Sequence, residues 1–312
     1  MTGLLLLVVG IVLLYFSGDW LVDGATSLAK KLKVQPFIIA LTLVAFGTSA
    51  PELAISINSA LKGYEGITIG NIVGSNVANV LFAIPLAFLI KIPSSRSDVK
   101  ILDCVFLILV TILYAIILKE FKVFNFYVGF VMLMILFFYI FFIIFEVRKG
   151  KRGYSSQEQI IQYSLPKSII LSVVGIFGVL LGAEVLVKGA IDTAKNFDIN
   201  ETIIGLTLVA IGTSIPEVTT SMIAAHRKQG GFILGAILGS NLFNLLGITG
   251  VAAIITKIEV KDTLLDFDIY FLVFSTLIFI FMVNFLRVFN KGIILLLLIS
   301  YIIYVLFIYL RL

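Results

Sequence analysis

Cysteine and histidine are almost absent from this chain, and charge is scarce. Cys104 is the only cysteine and His226 the only histidine among 312 residues. A lone thiol forms no internal disulfide and no thiolate metal cluster. One histidine rules out a histidine-rich transition-metal site. Charged residues make up 13% of the chain and hydrophobic ones 60%, too little charge to cover the surface of a soluble fold this long. The polar sequence comes in short pieces, which leaves no room for a soluble catalytic domain. The net charge of +5 does not indicate a nucleic-acid surface, because the Lys and Arg residues fall in short segments between apolar runs.

Those apolar runs are of bilayer length. A spanning helix takes about 20 apolar residues. Ten such segments can be read, at roughly 3–25, 37–61, 67–90, 101–118, 124–145, 168–190, 202–225, 232–256, 265–286 and 292–310. The expectation is an all-α integral membrane protein of ten transmembrane helices. The first run has no basic segment before it and continues through Trp20-Leu21-Val22 without a convincing cleavage site. It therefore reads as a span rather than a signal peptide.

The chain is also written twice. Ile38-Ile39-Ala40-Leu41-Thr42-Leu43-Val44-Ala45-Phe46-Gly47-Thr48-Ser49 matches Ile203-Ile204-Gly205-Leu206-Thr207-Leu208-Val209-Ala210-Ile211-Gly212-Thr213-Ser214. Gly74-Ser75-Asn76-Val77-Ala78-Asn79 matches Gly239-Ser240-Asn241-Leu242-Phe243-Asn244, and Gly24-Ala25 matches Gly189-Ala190. The offset is 165 throughout (217 − 52, 240 − 75, 189 − 24) with no gap. Chance does not hold one register that far, so the chain is a duplication. Residues 1–146 form the first five-helix repeat, 147–167 a short linker, and 168–312 the second repeat. Five spans is an odd number, so the second repeat enters the membrane inverted. Secondary transporters share this plan, with the site near the midplane where the repeats meet.

Two repeated motifs carry the chemistry. Gly47-Thr48-Ser49-Ala50-Pro51-Glu52 returns as Gly212-Thr213-Ser214-Ile215-Pro216-Glu217. Proline removes a backbone donor and disfavours helix at the residue before it, so the carbonyls of Gly47, Thr48, Gly212 and Thr213 are expected to lose helical partners. Freed carbonyls at bilayer depth are tolerated only against protein or a water-filled cavity. A carboxylate at that depth costs at least about 2.5 kcal/mol and marks function. Carbonyls, hydroxyls and a carboxylate within about a turn and a half suit a hard cation, and two glutamates balance one divalent ion. The bland alternative is a proline kink with Ser and Thr bonded back to the backbone.

In the second motif, Gly70 and Gly74, like Gly235 and Gly239, form small-residue ridges for close helix approach. Ser75 and Asn79, and likewise Ser240 and Asn244, are four apart and share a face. They are expected to line the cavity opposite the glutamates, or to act as interhelical glue, as Asn76 and Asn241 do on a purely structural reading. Asp19 and Glu184 are equivalent under the offset and read as structural or interfacial. His226, beside Arg227 and Lys228, reads as solvated.

These motifs resemble the paired alpha-repeats of the cation/calcium antiporter superfamily, nearest to its sodium/calcium exchangers in their compact archaeal and bacterial form. The resemblance covers nearly the whole chain. It implies that Glu52 and Glu217 bind Ca²⁺ together with the carbonyls of Thr48 and Thr213. It places Na⁺ at the carbonyls of Ala45 and Ala210, around Thr48, Ser49, Thr213 and Ser214, and at Ser75 and Ser240. Asn79 and Asn244 would flank the central site. It further implies exchange of three Na⁺ for one Ca²⁺ by alternating access, with the first and sixth spans sliding. Some members carry Asp where Asn244 stands, and in the potassium-dependent branch that acid is associated with K⁺ transport, so Asn argues for K⁺ independence. Thr-Ser in both halves, where the proton-coupled branch has Gly-Asn, favours Na⁺ as the coupling ion. Segment 147–167 is too short for the regulatory domains of animal exchangers.

The expected protein is thus an antiporter and not an enzyme. No cofactor, nucleic acid or obligatory protein partner is implied, only Na⁺, Ca²⁺ and the lipid bilayer. A proton-coupled or other divalent-cation antiporter is the alternative; a passive pore and an intramembrane hydrolase fit less well. With both termini outside the cell membrane, 15 of the 23 Lys and Arg residues fall on the cytoplasmic side and 23 − 15 = 8 outside. That favours this orientation and a cytoplasmic linker, which carries the cluster Arg148-Lys149-Gly150-Lys151-Arg152 as a topology signal.

Overall fold

The computed structural model of the chain describes residues 2–93, 99–153, 161–196, 212–260, 266–285 and 289–311. In chain order the elements are α1 (Thr2–Lys31), α2 (Pro36–Thr48), α3 (Ala50–Leu61), α4 (Glu65–Ile90), α5 (Ile101–Phe121), β1 (Val123–Phe124), α6 (Phe126–Arg148), α7 (Leu165–Asn196), α8 (Ile215–His226), α9 (Gly230–Ile255), β2 (Ile258–Glu259), α10 (Asp266–Asn284) and α11 (Lys291–Arg311). Helix dominates because only a helix satisfies every backbone group of a single segment in lipid.

Among the described residues eight helices are long and apolar enough to cross a membrane. The bent pair α2–α3 makes a ninth crossing. The tenth expected span, 202–225, falls partly on residues outside the described set, and α8 is its remainder. Several spans run longer than expected: α1 covers 30 residues and α7 covers 32, about 45 Å or more each at 1.5 Å per residue.

Atomic contacts express the duplication. Helices α1 and α7 run antiparallel, and their glycines let the two backbones meet. Gly10 lies against the Leu186 backbone, and Gly175 against that of Leu21. Adding 165 to 10 and subtracting it from 186 turns the first contact into the second. Gly24 against Ser172 and Gly189 against Leu7 are related in the same way. The hydroxyls of Thr111 and Thr276, equivalent residues (276 − 111 = 165), are 3.2 Å apart, so they lie at the pseudo-two-fold axis. Tyr139 stacks on Phe106 and donates to Asp103. Its equivalent Tyr304 stacks on Phe271 and hydrogen-bonds Asp268.

Helices α4 and α9 form the centre. Buried residues make up 78% and 89% of their spans, against 22–39% for the other six. The outer helices turn leucine and phenylalanine to the surrounding lipid. Gly235 and Gly239 of α9 sit against the carbonyls of Phe37 and Leu41 on α2, the close approach expected of that ridge. Equivalent partners for Gly70 and Gly74 would be residues 202 and 206, outside the described set.

Short links join the helices at each end. At the end away from the linker, β1 pairs antiparallel with β2, Val123 opposite Glu259 and Phe124 opposite Ile258. At the linker end, Val34 bridges Gly153. Arg152 departs from the reading of its cluster as a plain topology signal, because it is fully buried. Its Nη1 and Nη2 donate to Asp103 at 2.9 and 2.8 Å, and its Nε to Glu146 at 2.6 Å. Lys100 Nζ donates to Glu146 at 3.0 Å. Two cations thus balance two carboxylates, and the guanidinium lies over the Phe37 ring at 5.7 Å. The linker is thereby fastened to α2, α5 and α6. His226 is exposed, as expected.

Candidate functional site

In both Gly-Thr-Ser-x-Pro-Glu segments the serine leaves helical geometry just before the helix that carries the glutamate. Ser49 has φ −82° and ψ 11°, and Ser214 has φ −87° and ψ 0°. In the first copy α2 and α3 meet at a bend of 44°. The backbone bonds that cross this break are Ser49 N–H to Ala45 and Leu53 N–H to Ser49. Gly47 has no donor four residues on, because that residue is Pro51. The carbonyl of Ala45 is engaged by Ser49 and, at 3.5 Å, by the Thr48 hydroxyl. Pro51 and Pro216 open the next helices, α3 and α8. There a missing N–H costs nothing, and each glutamate falls in the first turn, at the positive end of the helix dipole.

This geometry carries both glutamates into the interior: Glu52 is 1% exposed and Glu217 2%. A hydrogen-bonded cluster spans the two halves around Glu217. Ser49 Oγ donates to Glu217 Oε1 at 3.2 Å, and Ser240 Oγ to the same oxygen at 3.4 Å. The two hydroxyls are 2.8 Å apart. Asn79 Nδ2 donates to Ser240 Oγ at 3.0 Å and to Asn241 Oδ1 at 2.9 Å. First-repeat residues Ser49 and Asn79 therefore meet second-repeat residues Glu217, Ser240 and Asn241 in one place.

Several buried polar atoms here have no hydrogen-bond partner in the protein: Glu52 Oε2, Glu217 Oε2, Asn79 Oδ1, the Ser214 hydroxyl, and both amide atoms of Asn244. Buried polar groups are nearly always satisfied, and most of these unsatisfied atoms are oxygens, the kind of donor that can hold a hard cation. Among the described residues no three His, Cys, Asp or Glu cluster together. The donor set is two carboxylates with neutral oxygens, which fits Na⁺ or Ca²⁺ and not a soft transition metal.

Of the other expected residues, Thr48 and Ser75 are buried. No bond joins Ser75 to the cluster described above. Asn76 donates to the Ile72 carbonyl, while Asn241 belongs to the cluster, so the equivalent asparagines differ. Ala210 lies outside the described residues.

Several features were not foreseen. Asn71 Nδ2 donates to the Glu52 carbonyl and to Ser56 Oγ, at 3.1 and 2.9 Å. Ser56 and Ser221 are both fully buried, and the Ser221 hydroxyl has no partner. The 165 offset relates them, and each lies four residues after its glutamate, so the repeat itself could have flagged them. Of four wide π-helical turns among the described residues, one ends α5 at Ile117–Phe121 and three occupy Ala40–Val44, Asn79–Ala83 and Phe243–Ile248. Of these three, the second begins at Asn79 and the third includes Asn244. Such turns are frequent at functional sites, and the two that hold Asn79 and Asn244 fit that tendency, but no residue pattern announces them.

Known proteins are similar to this chain in sequence and in fold. The family model described as "Sodium/calcium exchanger protein" matches residues 2–145 and again 167–310. The chain is 33% identical over 287 residues to a putative antiporter, CaxA, of Alkalimonas amylolytica, covering 88% of this chain and 87% of the other. It is 29% identical to the sodium/calcium exchanger MaX1 of Methanosarcina acetivorans, covering 90% and 91%. The solved sodium-calcium exchanger NCX_Mj, soaked with Na⁺ and Ca²⁺, superposes with a TM-score of 0.80 at 31% identity and covers 97% of each chain. Matched along both inverted halves, with one buried oxygen-rich site between them, the chain belongs to the sodium/calcium exchanger family.

Proposed function

We propose that the protein exchanges three Na⁺ for one Ca²⁺ across the cell membrane by alternating access, without K⁺, at a site shared by its two halves. Glu52 and Glu217 hold Ca²⁺ with the carbonyls of Thr48 and Thr213. Na⁺ takes the hydroxyls and carbonyls around Ala45, Ser49, Ala210 and Ser214, with Ser75 and Ser240. Asn79 and Asn244 flank the centre. The observation that carries this reading is the concentration of unpartnered buried oxygens on residues from both repeats. Hydroxyls and carbonyls, being neutral, suit a monovalent ion, and the two carboxylates balance one divalent ion. Asn244, a neutral side chain, supports K⁺ independence. The lysine and arginine asymmetry supports termini outside and the linker in the cytoplasm.

Purified protein in liposomes loaded with Na⁺ is expected to accumulate external Ca²⁺. Liposomes loaded with K⁺, or given a pH gradient alone, should not. Glu52→Gln and Glu217→Gln should each abolish uptake. Uptake driven equally by a pH gradient would replace Na⁺ with H⁺ as the coupling ion.

A further inference from the structure

At the linker end Arg227, the residue after α8, reaches α1. Its Nε and Nη2 donate to Asp19 Oδ1 at 3.0 and 2.6 Å. Nη2 is also 3.6 Å from Asp23 Oδ2, and Asp23 accepts a hydrogen bond from Tyr163. Asp19 and Asp23 are four apart and share one face of α1. Gly18, beside them, lies against Ile223 and Thr219 of α8. Helix α1 is therefore held against α8 at this end.

The repeat supplies a second set of the same parts. Under the offset Asp19 becomes Glu184, Asp23 becomes Lys188, and Arg227 becomes Lys62 (184 − 19 = 188 − 23 = 227 − 62 = 165). Lys62 follows α3 as Arg227 follows α8, with nearly the same backbone: φ −88°, ψ 0° against φ −77°, ψ 1°. A left-handed residue comes next in both, Gly63 and Lys228. Glu184 lies on α7. Here, however, Lys62, Glu184 and Lys188 are all exposed. Ala54 and Asn58 of α3, the equivalents of Thr219 and Ile223, are exposed as well. The α1/α7 pair leans on α8 at the linker end and stands away from α3 at the other.

The interleaved glycines join α1 and α7 into one body, and that body rests on α8 and not on α3. Exchanging the roles of the two halves breaks one contact and makes the other. We infer that Asp19–Arg227 and Glu184–Lys62 are alternating latches: the first holds the linker end closed, and the second forms when the α1/α7 pair has moved to close the opposite end. This rests on the exchanger reading only for what the movement accomplishes. The latches are unequal. Arg227 faces two carboxylates, whereas Glu184 has Lys188 one turn away competing for it, so the arrangement seen here is the favoured one.

The test is a distance measurement that needs no transport. Spin labels at Leu4→Cys on α1 and Tyr64→Cys after α3, in a Cys104→Ser chain, report how far α1 stands from α3 at the end away from the linker. Partly exposed ion pairs of this kind shift an equilibrium by about two- to five-fold. Arg227→Gln is expected to raise the ratio of short to long distances by that factor, and Asp19→Asn to do the same. Adding Lys62→Gln to Arg227→Gln should lower the ratio again. Unchanged distributions in Arg227→Gln and Asp19→Asn would overturn the latches, as would a further rise when Lys62→Gln is added. Na⁺-driven Ca²⁺ uptake by the same preparations separates the two readings: distances that respond in a protein that does not exchange leave the latches standing without the exchanger, and unresponsive distances in an active exchanger remove the latches alone.

Discussion

Single residues show where sequence patterns speak and where they fall silent. Glu52 and Glu217 were legible because a carboxylate in an apolar run has few bland explanations and the repeat supplied each with a twin. Arg152 was not. A basic residue beside other basic residues after a span looks like a topology signal, and nothing local links it to Asp103, 49 residues earlier. A buried guanidinium shared by two carboxylates is costly to break, since removing one partner strands the others. Arg152→Ala should destabilise the solubilised protein by about 3–5 kcal/mol, read as a fall in its thermal unfolding temperature. Arg152→Lys should rescue little, lacking the planar fork that holds Asp103. Lys151→Ala, at an exposed position, should change stability by less than about 0.5 kcal/mol.

At the scale of elements, the proposed exchange turns on the broken helix α2–α3. The proline does two things: it denies Gly47 a helical partner, and it starts α3 so that Glu52 lies in the first turn. Pro51→Ala restores an N–H where the chain now lacks one, letting the helix run on through Ser49. Such a protein is expected to be as stable as the parent or more so, yet to lose most Na⁺-driven Ca²⁺ uptake. Pro216→Ala should behave alike. Uptake at the parental rate in both would show that the break is not needed. The break was readable from Gly, Pro and Glu together. The π-helical turns beside it were not, because no residue pattern marks them in either repeat. The glycine seam of α1 and α7 was half readable. Gly24 and Gly189 stood out as a repeated pair, but which helix each would meet depended on the inversion.

For the whole molecule, the inversion of the second repeat is the deciding fact. It turns two copies of one motif to face each other, and the mirrored contacts Gly10–Leu186 and Gly175–Leu21 are its consequence. The inversion was legible from span counting, although the boundaries of single helices ran several residues past the apolar runs. Charge gives a prediction at this scale. Two ionised glutamates with one Ca²⁺ sum to zero, and with three Na⁺ to +1. Each cycle then carries one net charge, at about 2.3 kcal/mol per 100 mV. Exchange in liposomes should quicken or slow with an imposed K⁺-valinomycin potential according to its sign, and a rate indifferent to potential would exclude that stoichiometry.

The most direct measurement is a Ca²⁺ binding isotherm of the purified protein without Na⁺, on the parent, Glu52→Gln and Glu217→Gln. A single site built from both halves should bind one Ca²⁺ per chain, and each substitution alone should abolish binding at concentrations that saturate the parent. Two Ca²⁺ per chain in the parent, with one retained in each variant, would mean two independent sites and contradict a shared one.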